Sequence, residues 1–202
     1  MVVLFLLLSS LPAEGTVIIG DSQATGLKNA GVLTTLGVDI HAFSGKSSAF
    51  FVDWLRKNPR VVEKRTVVYF QLGGNDVTAG ESLETIKLNV ALLARIAKTA
   101  SPKARVVFGA VPVRGQWFDA QKRTKPELTA QKERTFNALN QWLQQGEHAD
   151  FSTFATNPLV SDPEVPRFVR QEYRRAGAPD VHLNRRGYVA LSTALAALGL
   201  HN

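Results

Sequence analysis

The most constraining feature of this chain is an alternation of two hydrophobic rhythms. Short runs of consecutive apolar or β-branched residues, each closed by glycine or a polar turn, are separated by stretches with helical spacing. The clearest run is 66–72, Thr-Val-Val-Tyr-Phe-Gln-Leu, bounded by Gly73-Gly74. Other runs lie at 16–19, ending at Gly20, and at 38–43 and 105–111, with a weaker one around 150–154. Between them, Leu83, Ile86, Val90, Leu93 and Ala97 recur at steps of three and four, which places them on one helical face. Similar patterns predict helices over about 24–36, over 47–57 before Pro59, and from about Pro126 with Phe136, Leu139, Trp142 and Leu143 inward. A last helix, capped by Asn184, carries Tyr188, Leu191, Leu195 and Leu198 on its inner face and has Gly199 just past its end.

Near-uniformly apolar strands alternating with amphipathic helices predict a parallel sheet covered on both faces. The expected fold is α/β: a doubly wound, flavodoxin-like sheet of about five strands with helices on both faces. The 202 residues suffice for one such domain, assigned to 16–202. The segment 157–179 is the least regular and is expected to form a flap or loop over one end. Residues 2–8 form a short apolar run, followed by the small-x-small sequence Ala13-Glu14-Gly15. Residues 1–15 therefore read as a signal peptide without a basic leader or as an ordinary N-terminal segment; export is the favoured expectation. A seven-residue run is too short to span a bilayer, so no stable membrane insertion is expected.

With no cysteine in the chain, thiol nucleophiles, disulfides and cysteine-ligated metals are excluded. The net charge of +7 favours anionic partners. The basic residues are scattered in small groups, Arg185-Arg186 among them, and read as solvated surface. Since no strand pair interleaves aromatic with basic residues, no nucleic-acid partner is expected.

In a doubly wound sheet, ligands bind where loops leave the carboxyl ends of neighbouring strands at the switch in strand order. The first strand here runs into Gly20-Asp21-Ser22, the second into Ser44-Gly45, and the third into Gly73-Gly74-Asn75-Asp76. Asp180-Val181-His182 precedes the last helix. Each piece alone has a plain structural reading as a turn, a helix cap or a buried histidine. Asp76 is assigned to structure, bonding N–H groups of its own loop. His41, His148 and His201 show no partner spacing. Ser44-Gly45-Lys46-Ser47 lacks the upstream glycine of a phosphate-binding loop, since Ile40 stands there. Ala24 rather than glycine follows Ser22-Gln23, unlike the Gly-x-Ser-x-Gly elbow. No metal-ligand spacing and no dinucleotide fingerprint is present, so no metal and no cofactor is expected.

Taken together and in this order, the motifs resemble those of the SGNH hydrolase (GDSL-like lipase/esterase) superfamily, over nearly the whole chain from Gly20 to about Tyr188. The resemblance implies a serine esterase in which Ser22 is the nucleophile, His182 the base, and Gly45 and Asn75 the matching glycine and asparagine. The chain departs from the family at the acid. Pro179 stands three residues before the histidine, where the acid is usual, and Asp180 stands two before. Asp180 is the candidate acid; a backbone carbonyl orienting His182 is the alternative.

The chemistry of the residues is consistent with these roles. A serine hydroxyl is a poor nucleophile until an imidazole takes its proton. Ser22 at a helix start would sit where free N–H groups favour developing negative charge. The N–H groups of Ser22 and Gly45, with the Asn75 amide, would form an oxyanion hole. Trp117, in the loop after the fourth strand, is a candidate for stacking on a sugar ring. The expected substrate is a small-molecule or glycan ester, with an acetylated acidic polysaccharide favoured. An O-acyltransferase using the same site and a catalytically silent glycan-binding protein are the alternatives. Oligomeric state is not legible in the chain.

Overall fold

A computed structural model describes residues 15–111, 125–145, 152–154 and 182–197. Residues 1–14 of the expected 1–15 leader, the 157–179 flap, Trp117, Asp180, His148 and His201 lie outside the described residues. Five strands, β1 (Thr16–Gly20), β2 (Asp39–Ala42), β3 (Val67–Gln71), β4 (Arg105–Gly109) and β5 (Ser152–Phe154), form one sheet in the order β2-β1-β3-β4-β5. Every pairing is parallel. This is the flavodoxin-like order expected from the sequence.

All five residues of β1 and of β3 are buried, which accounts for runs that are apolar without alternation. Seven α-helices are described: α1 (Ser22–Ala30), α2 (Val32–Thr35), α3 (Ser48–Lys57), α4 (Gly74–Ala79), α5 (Leu83–Ala100), α6 (Pro126–Gln145) and α7 (Arg185–Ala197). Residues of alternate parity along each strand feed two cores. On one face, Val17, Val68, Phe70 and Phe108 pack with side chains of α3, α5 and α6, and the rings of Phe70 and Phe108 stack 4.8 Å apart. On the other, Ile18, Val67, Tyr69 and Val107 pack with Leu27, Leu33, Leu191 and Leu195 from α1, α2 and α7.

The structure differs from the sequence expectation in several local places. The helix expected over 24–36 starts earlier, at Ser22, and breaks at Gly31. Gly31 adopts a left-handed conformation (φ 81°), closing α1 and starting the single-turn α2. The second strand is four residues long, and the fourth ends at Gly109 rather than 111. The Gly-Gly-Asn-Asp segment, which reads as a turn, opens the short helix α4. Asn184 caps α7 as expected, its Oδ1 accepting from the Gly187 N–H at 2.9 Å.

Helices α1 and α7 lie against each other with almost no space at Gly26. A Cβ there would fall 1.9 Å from Cζ of Tyr188, whose hydroxyl donates to Gln23 Oε1 at 3.1 Å. Alanine inside a helix ordinarily stabilises by up to about 1 kcal/mol relative to glycine. Here the overlap reverses the sign. Gly26→Ala should destabilise by about 1–3 kcal/mol or more, the usual cost of overpacking. Urea unfolding checks this; an unchanged or raised midpoint would show that α1 and α7 do not pack at this distance.

Candidate active site

The site is built at the carboxyl ends of β1 and β3, where the order of the sheet changes direction. Asp21 N–H donates to the Gln71 carbonyl at 3.0 Å, extending the ladder one residue past β1. The backbone then turns into α1. Asp21 is its N-cap, the carboxylate accepting from the Gln23 N–H at 2.9 Å, and half-buried Ser22 is the first helical residue. The expectation of Ser22 at a helix start is met.

Gly45 lies in the turn spanning residues 43–46, closed by Lys46 N–H donating to the Phe43 carbonyl at 3.3 Å. Its φ of 75° is the left-handed conformation that the third position of such a turn takes. Two side chains tie this turn to its neighbours. Ser44 Oγ is 2.9 Å from Thr25 Oγ1 on α1, and Asn75 Nδ2 donates to the Lys46 carbonyl at 2.9 Å. Asn75, on α4, thus holds the Gly45 turn in place.

Ser22 and His182 share the walls of two cavities. One, of about 580 Å³, lies between α1 and the start of α7 and includes Thr25, Asn29, Ser44, Arg185 and Tyr188. The other, of about 50 Å³, includes Gln71, Leu72, Asn75, Thr78 and Val111. Ser22, His182 and Asn75 therefore converge on one place. Gly45 is exposed and lines neither cavity; only its turn reaches the site, through Ser44 and through Asn75. Among the described residues there is no group of three or more His, Asp or Glu side chains able to hold a metal.

Two buried carboxylates adjoin site residues in the chain, Asp21 next to Ser22 and Asp76 next to Asn75. Asp76 accepts from the Ser48 N–H at 2.9 and 3.0 Å and from the Ser48 hydroxyl at 2.5 Å, while Asn89 donates to that same hydroxyl oxygen at 2.9 Å. Asp76 bonds its own backbone N–H, as expected, and also reaches Ser48, the first residue of α3. Helix α3 has no side-chain cap from Ser47, so Asp76 caps it from across the fold. Burial raises the Asp76 pKa, against the lowering effect of the Ser48 bonds. Burial likewise pushes the Asp21 carboxyl up to about 7, opposed by the Gln23 N–H and reinforced by the charge of Asp76.

Sequence reasoning misses Gln71 and the polar wall of Thr25, Asn29, Thr78 and Arg185. Gln71 carries a visible signal, a lone amide at the end of an apolar strand. It is buried, accepts from the Tyr69 hydroxyl at 2.7 Å and donates to the Ala110 carbonyl at 3.3 Å. In the sequence the others are ordinary helix or loop polar residues, and Arg185 reads as solvated surface.

A parallel β2-β1-β3-β4-β5 sheet thus brings a helix-start serine and a C-terminal histidine into one cavity on a flavodoxin-like scaffold. The model of the GDSL-like lipase/acylhydrolase family matches residues 18–190, and the chain belongs to that family. Its class is therefore that of ester hydrolases. No curated protein matches it by sequence. Among solved structures it is similar to a GDSL-like lipase from Bacteroides thetaiotaomicron, 17% identical, covering 97% of this chain and 94% of that one, with a TM-score of 0.70. It is also similar to an extracellular lipase from Streptomyces rimosus, 14% identical over 94% and 100% of the two chains, with a TM-score of 0.63. A lipase from a goat rumen metagenome matches at 16% identity over 94% and 99%, with a TM-score of 0.64. At these identities the likeness is one of fold.

The raised Asp21 pKa has a consequence for stability. Between about pH 4 and 7 the folded protein keeps a proton on Asp21 that the unfolded chain has released. The contribution of this group is thus full below about pH 4 and is lost as pH rises toward about 7. The loss is on the order of 1.4 kcal/mol for each pH unit climbed within that window. Asp21→Asn keeps a capping oxygen but cannot ionise. Urea midpoints measured from pH 4 to 7 should decline less steeply in Asp21→Asn than in the wild type. Parallel slopes would show that Asp21 does not hold its proton in the folded state.

Proposed function

We propose that the chain is a serine esterase in which Ser22 attacks an acyl ester and His182 takes and returns its proton. The observation that carries this reading is the meeting of Ser22 and His182, from opposite ends of the chain, on the walls of the same two cavities. The Ser22 Oγ–acyl bond forms as the ester C–O bond breaks, and the proton passes through the imidazole to the departing alcohol. Water then repeats the sequence to release the acid. Asp180 is assigned as the group that orients His182. No cofactor or metal enters these steps.

The oxyanion that forms is assigned to the N–H groups of Ser22 and Gly45 and to the Asn75 amide. Asn75 carries two N–H donors, and its bond to the Lys46 carbonyl occupies one. In this reading it both donates to the oxyanion and holds the turn that presents Gly45. The free N–H groups at the start of α1 favour the same negative charge.

The small cavity beside Asn75, about 50 Å³, favours a short acyl group such as acetyl. The larger one, about 580 Å³, has Thr25, Asn29, Ser44 and Arg185 set in a largely apolar wall and has room for a sugar-sized alcohol. This supports carbohydrate O-deacetylation over cleavage of long-chain lipid esters. The +7 net charge favours an acidic polysaccharide. Export is proposed on the apolar run at 2–8. Among the described residues, no helix is long and apolar enough to cross a membrane.

Hydrolysis of p-nitrophenyl acetate and octanoate tests the reading. Ser22→Ala should lower acetate turnover by about 10³-fold or more, and Asn75→Ala by about 10²–10³-fold. The wild type should prefer acetate. If Ser22→Ala matches the wild type, the serine mechanism fails; a preference for octanoate removes the deacetylase reading alone.

A further inference from the structure

We propose that Arg185 is a specificity-determining residue that binds an anionic group, foremost a carboxylate, on the alcohol part of the ester. The inference rests on the Ser22–His182 reading and assigns the chemistry of the substrate at that same site.

Four observations carry it. Arg185 lies three residues beyond His182 and lines the 580 Å³ cavity together with Ser22. No other described residue on that wall carries a fixed charge; Thr25, Asn29, Ser44 and Asn184 offer neutral hydrogen-bonding groups, so Arg185 supplies the fixed charge. Among the described residues, no carboxylate forms an ion pair with Arg185, whereas Arg56, Arg65 and Lys87 each have one. Lastly, Arg185 is the first residue of α7, and no acidic side chain lies in that first turn. A cation there opposes the helix dipole, so helix stability does not account for it. An arginine held against the dipole at the mouth of an open cavity has its donors available to an anion. Its planar fork matches a carboxylate or phosphate through two parallel hydrogen bonds.

The placement of the alcohol follows from the chemistry. His182 returns its proton to the departing alkoxide, so the alcohol leaves past the imidazole, on the side where Arg185 stands. The acyl group occupies the small cavity on the Asn75 side. An O-acetylated sugar acid fits both halves: a short acyl group at Ser22 and a ring carboxylate within reach of Arg185.

The test compares O-acetylated methyl galacturonoside with O-acetylated methyl galactoside, and with its 6-phosphate, for the wild type, Arg185→Ala and Arg185→Glu. The wild type should favour the carboxylate over the neutral ester by about tenfold or more in kcat/KM, chiefly through KM. Arg185→Ala should bring that ratio near one, and Arg185→Glu should invert it. A wild-type ratio near one, or a ratio that Arg185→Ala leaves unchanged, overturns the proposal. A preference for the phosphate sustains the anion site but overturns its assignment to a carboxylate. If no ester is cleaved by any form, the serine esterase reading fails separately. Calorimetric binding of methyl galacturonoside against methyl galactoside then decides: selective binding lost in Arg185→Ala supports the anion site, and its absence in the wild type overturns it.

Discussion

The arrangement depends on the parallel ladder between β1 and β3. Its register pairs Gly20 with Gln71, and the bond from Asp21 N–H to the Gln71 carbonyl carries the pairing one residue further. That bond fixes where extended backbone ends and α1 begins. Ser22 is therefore set against the sheet before any side chain of the site is considered. A Cβ at Gly20 would meet the Gln71 carbonyl oxygen at 2.2 Å, so the two backbones are as close as this ladder allows. The same strand end delivers Gln71 and then Asn75. One pair of strands thus carries both the candidate nucleophile and one of its candidate oxyanion donors.

Around that pair, the site is secured by polar ties between elements distant in sequence. Asp76 caps α3 through Ser48, and Asn89 of α5 closes the same network. Asn75 holds the turn that contains Gly45, and Thr25 meets Ser44 at the turn's other side. Burying a carboxylate is unfavourable unless its lone pairs are matched by donors. Asp76 has three such bonds from Ser48 and one from its own backbone. Asp21 has the capping bond from Gln23 and one from its own backbone, and burial pushes its pKa up to about 7. The two acids therefore differ in kind, one a bonded structural anchor and the other a cap held close to neutrality.

The sheet was legible because burial on both faces leaves strands such as 66–72 almost wholly apolar, with no alternation of polar residues. Helix α5 was legible because eighteen residues give a 3.6-residue period room to repeat. The break at Gly31 was hidden, since a single glycine inside an apolar period looks like a tolerated interior residue until its backbone conformation is known. Helix α4 was hidden for the opposite reason: six residues carrying three of the turn-forming types at their start show no period at all. Ser22, Asn75 and His182 were legible from motif order at strand ends. The cavity wall was not, because Thr25, Asn29 and Arg185 gain their place only from how α1 and α7 meet. Asp180 and Trp117 lie outside the described residues.

The wall of the smaller cavity at Val111 has one further property. Asn140, on α6, accepts from the Val111 N–H at 2.8 Å and donates to the Val111 carbonyl at 2.9 Å. Both backbone polar groups of this residue are thus matched by a single side chain beyond the sheet, much as a neighbouring strand would match them. These two bonds are made by the main chain, so they do not depend on which side chain residue 111 carries. Val111 is also a buried member of the core, so its size sets the bore of this chamber and the packing beneath it at once.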